Sequence, residues 1–436
     1  MTDERNLAAL ERDLIELLGA RGVTRDQRMR ERASVDGARM SPVISELLPL
    51  GLADIVAYPR SAEEIAGVVA LAVRQGVPIT PRGKGTGNYG QAIPMAGGLV
   101  LDMSRARAIL GIERGAITAE SGAAMLALEQ GALESGQQLW MYPSTVHSSI
   151  GGFISGGSGG TGTIAHGLNH QGFVRALDVV HAGEDPSIHH YEGADAQAYV
   201  HAYGTSGIIV RATVMLEPAV DWRAVHASLP DFPAALSILR QIGNLDPSPR
   251  LVSADPPRIA AALPPDLAVA EGAASLRAIL APETVDEACA LIESVGGVVE
   301  EVRSGANASM GLSIVSYNHP IEWLQRTRPG HFFHVEVAGD VLIERIDDVL
   351  AVVDDGALHI EAAHGAPIGM LAGAYRGPED VLSTLDRLRA IGVQVHNPHQ
   401  WHVDFEVERT RSTARRTDPR GLLNPGKLVP RVGAVA

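Results

Sequence analysis

The chain has 436 residues, 45% hydrophobic and 20% charged, with a formal net charge of −15. That length predicts at least two domains, and the acidity excludes a nucleic-acid binder, which needs clustered Lys and Arg against phosphate. No apolar run reaches the roughly 18 residues of a membrane span, and Met1–Arg12 mixes charges with no signal-peptide core, so a cytoplasmic protein away from membranes is expected.

A helix is expected over Leu7–Leu18, followed by an Arg-rich stretch and an irregular segment over Ser41–Pro49. Ile55–Tyr58 reads as a short strand. Ser61 followed by Glu64 forms a capping-box pattern, Ile65, Val68, Val69 and Val73 make an apolar stripe, and Gly76 ends the helix. Val77–Thr80 is the next strand and leads into Pro81 and a glycine-rich loop. Strands are expected at Leu99–Asp102 and Ile117–Glu120, and a helix at Ala123–Glu134. A second glycine-rich stretch then covers Pro143–Gly167. Ala176–His181 and Gly207–Leu216 are β-rich, with His189 and His190 between them read as solvated.

The texture changes near residue 219. Helices at Pro233–Ile242, Val285–Val295, Ile343–Val353 and Glu379–Ile391 alternate with strands at Phe332–Val337, Leu358–Ala362 and Val393–His396. Cys289, the only cysteine, lies on the second of these helices and is expected to be a buried structural thiol. Arg409–Arg420 holds five arginines, read as a solvated helix face. The predicted organisation is α+β: residues 1–218 as one domain, 219–395 as a cap, and 396–436 returning to the first domain.

Glycine is the unusual residue, with 47 copies, many bunched between 83 and 172. Gly85-Thr-Gly87-Asn-Tyr-Gly90 and Gly160-Thr-Gly162-Thr-Ile-Ala165 satisfy a dinucleotide pattern on paper. That fold needs a helix opening directly after the loop. The first loop runs into Pro94 and Gly97-Gly98, the second into His166-Gly167, and neither is expected to open a helix. Gly426-Lys427 lacks the spacing of a P-loop. Both stretches instead suit a pyrophosphate nest, in which glycines free backbone N–H groups to face anionic oxygens. Arg82, Gly83, Lys84, Gly85, Thr86, Gly87 and Asn88 form the first candidate loop, and Pro143, Ser144, Ser148, Ser149, Ile150, Gly151 and Gly152 the second.

Pro81-Arg-Gly-Lys-Gly-Thr-Gly87 resembles the FAD pyrophosphate loop of the FAD-linked oxidase superfamily, the vanillyl-alcohol oxidase or PCMH-type flavoproteins. Pro143-Ser144 with Ser149-Ile-Gly-Gly152 resembles its second loop, and Gly157–Gly160 the small-residue turn after it. Tyr203-Gly-Thr-Ser-Gly207-Ile208-Ile209-Val210 resembles its closing strand. Asp418-Pro-Arg-Gly-Leu-Leu-Asn424-Pro-Gly-Lys427 resembles the tail of the glycolate oxidase and D-lactate dehydrogenase branch. The resemblance implies a two-lobed fold, a PCMH-type FAD-binding domain with an α+β substrate cap, and FAD as cofactor. Covalent members carry a His where Thr86 stands, so noncovalent FAD is implied. The metal-binding His-x-Gly-Asp-Gly-Asn and Glu-His-Gly segments of the hydroxy-acid branch are missing; only His331-Phe-Phe-His-Val-Glu336 and Glu361-Ala-Ala-His-Gly365 are present.

The implied reaction is oxidation of a small alcohol, 2-hydroxy acid or phenolic alcohol by hydride transfer to flavin, with a His or Tyr as base. Candidates are Tyr317, His319, His396, His399 and His402, with Arg326 and Arg328 near the first pair as carboxylate clamps. A metal held by His396, His399 and His402 is not favoured, because on a strand His399 faces away from the other two, and Pro398 interrupts a helix. Alternatives are a flavin-binding subunit of a larger redox complex and a same-fold NADPH-dependent enolpyruvyl reductase. The electron acceptor, oxygen or a carrier, is left open, and a homodimer is the general expectation.

Overall fold

A computed structural model describes residues 3–157, 159–184 and 186–428. Its first layer is a four-stranded sheet ordered Val23–Thr24, Ile55–Ala57, Leu99–Asp102, Ile79–Arg82, parallel except at the first pairing. Helices Glu4–Leu18 and Ala62–Gln75 cover it, burying Leu7, Leu10 and Leu14 against Ile65, Val68 and Val69. The second helix starts as its sequence requires: Ser61 Oγ accepts the Glu64 N–H, and Gly76 closes it in the left-handed region at φ 63°. Glu64 reaches one residue further back than a capping box requires, to the Arg60 N–H at 2.6 Å.

A six-stranded antiparallel sheet follows, centred on the long strand Ile208–Pro218 between Ala116–Glu120 and Val174–Val180. Residues from 223 onward build an eight-stranded antiparallel sheet ordered Val298–Ser304, Arg223–Leu229, Ala274–Leu280, Leu251–Asp255, Ala357–Glu361, Ile368–Ala374, Phe332–Ala338, Gln394–His396. Alternation along its strands sorts the two faces. Leu358, Ile360, Leu371, Val335 and Val337 pack with helices Phe232–Gly243, Val285–Ser294 and Pro378–Ala390. On the other face, register places His359 opposite Met370, Met370 opposite Glu336, and Glu336 opposite His396. This cross-strand row faces back toward the glycine loops.

After the cap, helix Val407–Thr417 leads the chain home. Asp418 accepts the N–H groups of Leu422 and Leu423, Leu422 accepts the Ile79 N–H at 2.7 Å, and Leu423 bridges Ile79 in parallel. Residues 429–436 of the expected return lie outside the described residues.

Several expectations need correction. The second glycine stretch does carry helices: Ser149 caps Ile150–Gly156, and Thr163–His166 opens directly after Gly162. The Arg-rich stretch contains helix Gln27–Ala33 and the supposed irregular segment contains Pro42–Leu47. Ile343–Val353 splits into Val341–Glu344 and Ile346–Ala351. His189 and His190 sit on a strand, Ile188–Glu192; His190 is exposed as expected, whereas His189 is half-buried and stacks on His181 at 4.3 Å. Cys289 is half-buried on its helix rather than enclosed.

Candidate active site

One cavity of about 690 Å³ lies between the glycine loops and the cap sheet, within the roughly 300–1,000 Å³ usual for ligand sites. Arg82, Gly83, Lys84, Gly85, Thr86, Gly87 and Asn88 line it from the first loop. Pro143, Ser144, Ser148, Ser149, Gly152 and Gly157 line it from the second. The loops are joined by hydroxyls, with Thr86 Oγ1 and Thr145 Oγ1 each 2.7 Å from Ser148 Oγ. Close approach favours glycine at two of these points of contact. A Cβ on Gly83 would sit 1.9 Å from Ser149 Oγ. One on Gly157, at φ 65°, would sit 2.0 Å from the His201 ring.

The polar side chains of the first loop are largely engaged inside the protein. Arg82 donates to the Val35 carbonyl at 2.6 Å, and Asn88 is turned toward Met40. Its backbone is not: among the described residues, the N–H groups of 84–88 have no acceptor within the chain. Unpaired N–H groups on a glycine-rich wall, beside Arg82 and Lys84, are the donor set a pyrophosphate requires. These residues fit FAD.

Some expected contacts fall behind the wall rather than on it. Ile150 is core, Gly151 packs on Ser121, and Gly160 lies against the Tyr142 carbonyl. Gly207 fits beneath Val179 and Tyr199, and Ile208 and Ile209 are buried strand residues. Asn424 acts as a staple: its Nδ2 donates to the Gln91 carbonyl at 2.9 Å and the Tyr203 carbonyl at 2.7 Å, tying the tail to two cavity-lining segments. Lys427, fully buried, donates to the Gly90 carbonyl.

The opposite wall comes from the cap. Tyr317, His319 and His396 line the cavity; His399 and His402, expected there, do not. His399 is 5% exposed and bonds Ser41 through Nδ1 at 2.6 Å, with burial lowering its pKa to about 4. It is a packing residue between the His334 and Phe333 rings. His402 is half-buried on the loop beyond the last sheet strand. Arg326 is exposed over Trp323, and Arg328 pairs with Asp355 at 2.9 Å, so neither reaches the cavity.

Around the residues that do line it stand carboxylates with no motif to mark them in the sequence. His319 Nδ1 lies 3.2 Å from Glu322 Oε2. Burial raises the Glu322 pKa, but the His319 bond together with the charges of His319 and Arg326 outweighs it, so the carboxyl stays ionised. Tyr317, at φ 59°, donates its N–H to Glu361 Oε1 at 2.7 Å. Burial pushes its phenol well above the ordinary value, keeping it protonated. Glu361 Oε1 also meets His359 Nε2 at 2.9 Å, while His359 Nδ1 meets Asp255 at 2.8 Å and Asp255 meets Arg277 at 2.6 Å. Burial opposes charge on His359, but Asp255 and Glu361 hold its pKa up at about 9. His396 is bound on both nitrogens, by Glu336 at 2.6 Å and Asp404 at 2.7 Å, which overcome burial and raise it to about 10. Tyr89 donates to the same Glu336. Among the described residues no group of three or more His, Cys, Asp or Glu is arranged to hold a metal.

The cavity of glycine loops, closed by an antiparallel cap sheet and a returning tail, accompanies sequence likeness to FAD-linked oxidoreductases. Residues 53–185 of the chain match the family model described as an FAD binding domain. An uncharacterised FAD-linked oxidoreductase of Mycobacterium tuberculosis is 23% identical over 76% of this chain and 66% of its own length. A glycolate oxidase subunit of Bacillus subtilis is 32% identical over 38% of this chain and 37% of its own. The chain therefore spans just under two thirds of the mycobacterial relative. The solved 4-ethylphenol oxidase of Gulosibacter chungangensis shares the fold at TM-score 0.71 and 16% identity, over 99% of this chain and 98% of that one. No helix among the described residues is long and apolar enough to cross a membrane.

Proposed function

We propose that this protein oxidises a small alcohol at the cap wall of the cavity, with FAD held noncovalently in the glycine loops. The glycine loops over 82–88 and 143–152 would hold FAD, which when bound would supply the hydride-accepting chemistry. The chain must then remove one proton and hold the substrate oxygen. His319 is the base: with Nδ1–H donated to Glu322, its Nε2 is left as a proton acceptor, the arrangement by which a carboxylate orients a catalytic imidazole. Tyr317 also lines the cavity, with its neutral hydroxyl held against Thr163 and Thr161. His396 and His359 are poor bases, since both ring nitrogens of each are engaged and both are held protonated.

The observation that carries this reading is that His319 and Tyr317 line the same cavity as the unpaired N–H groups of residues 84–88. Anaerobic bleaching of the yellow holoenzyme by a panel of primary, secondary and benzylic alcohols tests it. His319→Ala is expected to slow bleaching by about 10²–10⁴-fold with flavin content unchanged, whereas His402→Ala leaves the rate as it was. Equal rates in His319→Ala and the parent protein would refute the assignment. Noncovalent attachment follows from Thr86, which offers no imidazole. Acid precipitation is expected to leave all the yellow colour in the supernatant; colour in the pellet counts against it.

A further inference from the structure

The chemistry of the cap wall bears on which alcohols can enter. We infer that the cavity takes alcohols bearing no anionic group and disfavours 2-hydroxy carboxylates, because the wall presents Glu322, Glu336, Glu361 and Asp404 without an arginine or lysine. The inference rests on the proposed function, in that it takes the cap wall to be the substrate's side.

A carboxylate substrate needs a cation to neutralise it, best a guanidinium offering two parallel N–H donors. Among the described residues lining the cavity, Arg82 and Lys84 are the only arginine and lysine, and both belong to the first glycine loop. Behind the wall, Arg277 is fully buried and committed to Asp255, and Arg326 meets Glu322 at 4.0 Å without itself lining the cavity. The two imidazoliums, His359 and His396, leave the wall net negative. Each has both nitrogens taken by carboxylates, so neither retains an N–H to offer an incoming anion.

Glu322 and Glu361 would meet the anion directly. Both line the cavity, and Glu361, 2% exposed, has the Tyr317 N–H and His359 as partners only at Oε1. Like charges within a poorly solvated cavity repel strongly, because little water is left between them to screen the field. A neutral hydroxyl or amide reverses the sign of the interaction, since its N–H or O–H donates to the same carboxylates. The glycolate oxidase subunit, whose name denotes a hydroxy acid, aligns over only 38% of this chain. Likeness at that extent does not transmit a clamp that the cap wall lacks.

The test uses FAD-loaded enzyme and pairs of probes differing only in charge: mandelate against mandelamide, and lactate against lactamide. Binding is read at neutral pH from perturbation of the bound flavin's visible spectrum, with anaerobic bleaching as a second readout. The amide of each pair is expected to half-saturate at a concentration at least roughly tenfold lower than the acid. Glu322→Gln is expected to narrow that ratio while flavin content stays unchanged. Acids binding as tightly as their amides, or more tightly, would overturn the charge inference and leave alcohol oxidation standing. A yellow holoenzyme that neither binds nor is bleached by any of these probes or by the wider alcohol panel would overturn the proposed function, and the inference with it.

Discussion

His359 sits 1% exposed between two carboxylates, and its charge is stabilising only while the proton stays on. Its folded pKa of about 9 lies above the ordinary 6.5. The stabilisation is therefore complete below the unfolded value and lost as pH rises through the folded one. Urea unfolding of the holoenzyme is expected to show stability falling across that window, and His359→Gln is expected to flatten this part of the profile. A parent profile already flat there would contradict it. Asp255, held near 2 against burial by Arg277 and His359, has the opposite sign: its contribution is lost only as pH falls toward that value. None of this was legible in the sequence. Arg277, Asp255, His359 and Glu361 are scattered over three strands, and a polar residue within a strand is normally read as facing solvent. Here His359 and Glu361 face a cavity, and Asp255 and Arg277 are buried beside them. His399 misled for the converse reason: three histidines within seven residues suggest a site, yet one of them simply fills a gap beside Ser41 and Phe333.

Between elements, the contact of one glycine loop with the other decides whether a cofactor can be held. Gly83→Ala would drive a methyl group onto Ser149 Oγ, the cap of helix Ile150–Gly156. The expected result is a clear loss of flavin absorbance per protein with far-ultraviolet circular dichroism unchanged; full flavin occupancy would refute the role given to this contact. This layer was the readable one, because close backbone approach selects glycine and leaves its mark in composition. Helix Ala62–Gln75 was equally plain, having a cap, a stripe and a terminating glycine. The cap sheet was less so. Ala274–Leu280 is buried along its whole length, Arg277 included, so it carries no period-two alternation to reveal a strand. Strands Arg223–Leu229 and Leu251–Asp255 are nearly as enclosed and escaped notice for the same reason.

For the molecule as a whole, the tail and a buried tether fix the two lobes around the cavity. Arg250, 4% exposed, donates to Glu129 at 2.8 Å and to the Leu139 carbonyl at 2.6 Å, joining the cap to the first lobe. Asn424 joins Gln91 and Tyr203 from the far end of the chain. Asn424→Ala would strand two carbonyls that have lost their donor, at a cost of about 1–3 kcal/mol each where buried. Flavin release is expected at lower urea than in the parent, ahead of the loss of helical signal from the cap; coincident transitions at the parent's midpoint would count against the staple.

The pairing of Ile79 with Leu423 also has a consequence in time. A nascent chain emerges from its amino terminus, so both glycine loops exist for most of synthesis without the tail that locks them. Through that interval the first sheet lacks an edge contact, and the cap sheet that forms the far wall is still being made. A chain truncated before residue 420 is therefore expected to hold less flavin per protein than the full chain, read from its visible absorbance; equal occupancy would show that the tail does not lock the loops.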